Sequence, residues 1–195
     1  MPTDPSTLAV AQAAQQIALQ MLEERGRGAV LVGVARVDAA LEHLLQAVMT
    51  PAPAKGDGLF LPDRPLGSLG AKAVLARRLG LIDEAVERAL NTLRKLRNAF
   101  AHSAESASLS DPAHSSRLAE AYTAARANPL WAPLETVLAN QPPSAHGPLD
   151  PALRDYILLV TILVAFLEAT AQQLEPFRPG VVMGMRGFVI RSSMP

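Results

Sequence analysis

Between Leu153 and Leu174 the chain carries apolar side chains almost all the way round a helix, with Ile157, Leu158, Leu159, Val160, Ile162, Leu163, Val164, Phe166 and Leu167 in close succession. A helix of that kind cannot lie on a surface, so its neighbours must enclose it. Two arrangements satisfy the requirement: it is the central helix of a bundle, or it forms an interface between two subunits. Its densest part, Tyr156 to Leu167, is bounded by Asp155 and Glu168 and falls short of the ~20 residues that a membrane-spanning helix needs. The run predicts a long, buried C-terminal helix and no membrane segment.

The rest of the chain supplies helices to surround it. Leu8 to Glu24 is rich in Ala, Gln, Leu and Met, with Asp4 and Ser6 as capping candidates before it and Gly26 and Gly28 as a break after it. From Ala29 to Met49, Val30, Val34, Val37, Leu41, Leu44, Leu45 and Val48 recur at a helical period, and Pro51 and Pro53 end the run. A Pro- and Gly-rich loop follows, with Leu59, Phe60 and Leu61 expected to pin it to the core. Ser68 can cap a short helix through Leu79 that stops at Gly80, and Asp83 can cap a longer one whose Val86, Leu90, Leu93, Leu96 and Phe100 share a face. Beyond a Ser-rich break from Ser103 to Pro112, a weaker helix is expected from about His114 to Ala127, and then the NPLWAPLETVLAN segment with Trp131 as an anchor. The turn-rich QPPSAHGPLDP leads into the apolar helix.

After Pro176, Pro and Gly punctuate Val181, Val182, Phe188, Val189 and Ile190, and this tail reads as irregular, with a short strand or a docking arm as alternatives. No repeat, sustained heptad seam or alternating strand pattern precedes it. The expected fold is all-α, a single-domain bundle of about six to seven helices, with residues 1–175 forming the bundle and 176–195 the tail.

Composition narrows the function classes. With 49% of residues hydrophobic and 18% charged, the 195-residue chain has enough apolar surface for one core. The formal net charge is zero, so no global basic field draws it onto nucleic acid, and any RNA or DNA contact must be local. The absence of Cys excludes disulfides, thiolate zinc sites and a cysteine nucleophile. His43, His114 and His146 have no metal-ligand spacing, and neither a metal nor another cofactor is expected. Gly26-Arg27-Gly28 lacks the length and the following Lys-Ser or Lys-Thr of a phosphate loop, and Gly67-Ser68-Leu69-Gly70 is too short for a nucleophile elbow. The first residues carry no secretory signal pattern, so the expected compartment is the cytoplasm.

One segment departs from ordinary bundle grammar. In Leu93-Arg94-Lys95-Leu96-Arg97-Asn98-Ala99-Phe100-Ala101-His102, the spacing places Arg94, Asn98 and His102 along one side of a helix with Arg97 beside them, while Leu93, Leu96 and Phe100 point to the core. An imidazole near neutral pKa can take a proton from a ribose 2′-hydroxyl, and a guanidinium can hold a phosphate, so Arg97 and His102 are candidate catalytic residues for metal-free RNA cleavage. The same residues equally suit a structural role, since a basic run complements the carbonyl end of a helix, and Arg97 and Asn98 can fix the helix against an acid such as Asp38. Arg77 and Arg78 with Arg94, Lys95 and Arg97 could form a basic face between two helices, or simply a solvated one.

Pro65-Leu66-Gly67-Ser68-Leu69-Gly70-Ala71-Lys72, then Leu79-Gly80-Leu81-Ile82, then Leu93 through His102 resembles the core motif run of the mannitol operon repressor family in order and spacing. Glu24-Arg25-Gly26 and the following helix, with Asp38 inside it, extend the likeness over roughly residues 24 to 103. That resemblance implies an all-α fold and a non-catalytic role in transcriptional control without a standard DNA-reading module. It makes Asp38, Lys72, Arg94 and Asn98 the candidate binding residues. Arg97-Asn98-Ala99-Phe100-Ala101-His102 is also similar to the Arg, polar, three residues, His signature of HEPN domains, helical bundles that are often dimeric and many of which are metal-independent ribonucleases in toxin and defence systems. The expected function is a regulatory or interaction protein that works through a protein partner, as a homodimer. A HEPN-like ribonuclease is the alternative.

Overall fold

The structure, a computed structural model, describes residues 5–24, 26–52, 58–102, 107–141, 148–179, 181–185 and 187–190. Asp4, Arg25, the stretch 103–106 within the Ser-rich break, and the stretch 142–147 with His146 lie outside the described residues. Among those described are seven α-helices: α1 (Pro5–Met21), α2 (Gly26–Val48), α3 (Leu69–Arg78), α4 (Glu84–His102), α5 (Pro112–Arg126), α6 (Trp131–Ala139) and α7 (Pro151–Ala171). A single 3-10 turn, Gly58–Phe60, lies between α2 and α3.

Local chemistry sets where several of these helices start and stop. The Ser68 hydroxyl accepts the Ala71 N–H, Asp83 Oδ1 accepts the Val86 N–H at 2.8 Å, and Asp150 Oδ1 accepts those of Ala152 and Leu153. Each bond satisfies a donor that a helix start leaves unpaired. Gly80, with φ of +74°, turns the chain after α3 into the left-handed region. The break after α1 is shorter than the two glycines suggest. Gly26 alone takes a positive φ, +49°, and Gly28 lies inside α2.

Helix α7 occupies the middle of the bundle, packed on α1, α2, α5 and α6. Fourteen of its residues are buried, from Leu153 to Ala171, while Phe166 stays partly exposed. Helices of the same chain therefore cover most of its apolar circumference, and the strip about Phe166 is left open. Its closest approach is to α2, where a Cβ on Gly33 would fall 2.6 Å from the hydroxyl oxygen of Tyr156. That hydroxyl donates to the carbonyl of Val30 at 3.0 Å, so the two helices are spaced by a tyrosine seated on a glycine. Next to Tyr156 near the start of α7, the buried Asp155 carboxylate accepts from Arg126 at 2.6 Å and from Arg154 at 2.8 Å. The Arg126 guanidinium also lies over the rings of Tyr122 and the buried Trp131, at 5.7 and 5.5 Å.

Helix α4 packs on α2, α3 and α5, and α3 packs on α2 and α4. Ala89, Leu90, Leu93, Leu96 and Phe100 form the buried face of α4. The loop ahead of α3 is held by Phe60, which is buried, whereas Leu59 and Leu61 are exposed.

The tail takes the short-strand alternative rather than the irregular form, and does so twice. Val181–Gly184 (β1) and Gly187–Ile190 (β2) pair antiparallel, with Val181 opposite Ile190 and Gly184 opposite Gly187. Their apolar residues are consecutive rather than alternating, so the strands lack the period of two by which sequence betrays a strand. Gly187, with φ of +121°, permits the reversal. Before the hairpin, the Phe177 N–H donates to the Val48 carbonyl at 2.7 Å and ties the tail to the end of α2. No described helix is long and apolar enough to cross a membrane.

Candidate functional site

Three consecutive stretches of chain meet beside the middle of α4. Arg94, Arg97 and Asn98 stand at three- and four-residue spacing on one flank of that helix, as its apolar face turns inward. Across from them α2 presents Leu31, Val34, Ala35 and Asp38, again one face of a helix. The third wall is the lead-in to α3, Gly67 through Gly70. Together these residues line a cleft of about 470 Å³.

The glycines shape that third wall. The chain from Leu61 to Gly67 folds back on itself, with Arg64 N–H donating to Leu61 O and Gly67 N–H to Arg64 O, both at 2.9 Å. A Cβ on Gly67 would stand 2.1 Å from the Leu61 carbonyl oxygen, so no other residue fits without opening the turn. At Gly70 a Cβ would touch Cδ and Nε of Arg94 at 3.4 Å, and its absence lets the arginine stem lie across the backbone. In sequence this stretch carries a helix cap and part of the motif run, and the spacing of Gly67 and Gly70 about the Ser68 cap is the signal of a backbone wall.

Three polar side chains on the α4 side of the cleft are unengaged, while Asp38 and Ser68 opposite them are paired. Nε of Arg94 is buried without a hydrogen-bond partner, and among the described residues Arg94, Arg97 and Asn98 make no hydrogen bond or ion pair. Several arginines elsewhere are committed: Arg88 to Glu84 and Glu120, Arg126 to Asp155, Arg154 to Asp155 and Glu135, and Arg27, whose Nη2 donates to the Ala101 carbonyl at 2.6 Å. An unpaired buried donor costs about 1–3 kcal/mol, and the fold carries that cost at Arg94.

Asp38 is the acid of this cleft, and its charge is compensated from behind. Nζ of Lys72 lies 3.0 Å from Asp38 Oδ1, an ion pair off hydrogen-bond direction, and donates to Glu42 Oε2 at 2.8 Å. The ammonium also sits 5.8 Å from the centre of the Phe60 ring. Lys72 is only 2% exposed and does not line the cleft. The structure thus puts Lys72 behind the cleft, with its charge paired to Asp38 and Glu42 of α2, because a buried cation must keep its counter-charges.

His102 is also apart from this group. It is the last residue of α4, exposed, and absent from the cleft lining. Five helical positions separate it from Arg97, which puts it roughly 140° round the axis and about 7.5 Å along it. Arg97 and His102 are both on the surface, so neither is a buried structural lock. Of the candidates, the structure brings Asp38, Arg94, Arg97 and Asn98 together and leaves Lys72 beneath and His102 beyond.

The other histidines serve locally. His43 pairs with Glu168 at 2.6 Å, and His114 meets the Phe100 ring at a tilt of 44°, centroids 5.0 Å apart, and bonds the Ser108 carbonyl at 2.8 Å. Among the described residues no three His, Cys, Asp or Glu side chains converge as metal ligands. Chemically, the cleft offers two guanidinium groups and an amide at one side, a carboxylate at the other, and apolar carbon between, with no imidazole to move a proton. Compared with family models, with curated proteins and with solved structures, the chain matches none.

Proposed function

We propose that this chain is a non-catalytic regulatory protein that acts in transcriptional control through a protein partner, and that the α2–α3–α4 cleft is where it receives its signal. One observation carries the reading. The unengaged polar groups, Arg94, Arg97 and Asn98, converge in a cleft that holds no imidazole, and His102 lies outside it. Two guanidinium groups and an amide without an imidazole beside them suit the holding of an anion. The likeness of the motif run to the mannitol operon repressor family supports the same reading, as does a net charge of zero, which suits a protein that reaches DNA through another.

A second reading has its own observation. Arg97 and His102 are both exposed, which a metal-independent ribonuclease of HEPN type requires. Incubating metal-free protein with a mixed RNA pool separates the two, with Arg97→Ala and His102→Ala variants checked for folding by circular dichroism. RNA left intact by all three proteins is the expected result. Cleavage by the wild type that both variants lose replaces the regulatory reading with the catalytic one.

A further inference from the structure

We infer that the α2–α3–α4 cleft binds a small molecule bearing a phosphate monoester and, a few bonds away, a hydrogen-bond donor. The inference rests on the regulatory reading for its purpose, but its chemistry comes from the cleft alone. Two guanidinium groups and one amide, on successive turns of α4, present several N–H donors from one side, and none of them is engaged among the described residues. A planar carboxylate can satisfy one guanidinium fork; a tetrahedral phosphate, with three terminal oxygens, can engage both arginines and Asn98 at once.

The opposite end sets the rest of the ligand. Asp38 faces the same space and would repel a second anionic group, while its carboxylate readily accepts from a hydroxyl or an amine. Leu31, Val34 and Ala35 between the two ends offer only van der Waals contact, which suits a short carbon linker. A cleft of about 470 Å³ lies in the range of small-molecule pockets, roughly 300–1,000 Å³.

The test uses phosphorus NMR and calorimetry on the full chain, with three probes: inorganic phosphate, ethyl phosphate and O-phosphoethanolamine. All three should bind, O-phosphoethanolamine most tightly because only it reaches Asp38 with a donor. Arg94→Gln and Arg97→Gln should each weaken binding about tenfold, the loss of one charge-assisted contact. Asp38→Asn should remove the advantage of O-phosphoethanolamine over ethyl phosphate. Arg78→Gln, at the far end of α3, should bind as the wild type does, and a thermal melt on each variant reports folding. No binding of any probe, or binding that both cleft variants retain, overturns the inference, as does an RNA oligonucleotide that displaces the probes and binds more tightly. Failure here with RNA left intact removes the ligand and keeps the regulatory reading; RNA cleavage removes that reading whatever the probes do.

Discussion

At Gly33 the two helices at the heart of the bundle come close enough that one methyl group decides their spacing. Alanine there gains about 1 kcal/mol of helix propensity and meets the Tyr156 hydroxyl at 2.6 Å, an overpacking that costs about 1–3 kcal/mol. The steric term should win, so Gly33→Ala is expected to lower the urea midpoint, and adding Tyr156→Phe should restore part of it. The same tyrosine gives the protein an alkaline limit. Burial, and then the neighbouring Tyr122, raises the Tyr156 pKa above the ordinary phenol range, and burial with Asp155 nearby does the same to Tyr122. Below the unfolded pKa of about 10 both states hold these protons and stability is unaffected. Above it the unfolded chain releases them first, so stability should fall by about 1.4 kcal/mol per pH unit for each tyrosine. Denaturant titrations between pH 9 and about 11.5 check this, with Tyr156→Phe expected to give the shallower decline.

Among the elements, the hairpin is the one least connected to the rest. Val181, Met183 and Met185 are exposed on it, Phe177 ahead of it is exposed too, and a lone two-stranded hairpin is marginal in water. Deleting residues 176–195 removes the exposed hairpin together with the Phe177–Val48 hydrogen bond, and should therefore lower unfolding free energy by only about 0.5–1.5 kcal/mol. Leu158→Ala, at a fully buried position of α7, should cost about 2–5 kcal/mol in the same urea titration. This contrast follows what sequence could reveal. Caps at Ser68 and Asp83, the stop at Gly80 and the apolar stripe of α4 are local and periodic, and each was legible. The hairpin was not, because Val181-Val182 and Phe188-Val189-Ile190 show no alternation, and Gly28 read as a break since nothing local says which of two glycines takes the positive φ. In the cleft, the spacing of Arg94, Arg97 and Asn98 was readable, whereas the direction of Lys72 and the wall at Gly67 depend on chain brought in from elsewhere.

For the whole molecule, the difference between Lys72 and the arginines above it separates the fold from the site. The Lys72 ammonium is sealed between α2 and α3, where dissolved ions do not reach, and the cleft groups Arg97 and Asn98 stand in solvent. At roughly 0.5 M sodium chloride the screening length falls well below its value of about 10 Å at 0.1 M, so attraction of an anion to the cleft should weaken while the bundle, held by its apolar core, is little changed. Calorimetric titrations at low and high salt, set beside melts in the same buffers, are expected to show affinity falling and melting temperature holding. Ionic strength would then act on this protein as a dimmer on its signal, emptying the cleft without loosening the bundle that frames it.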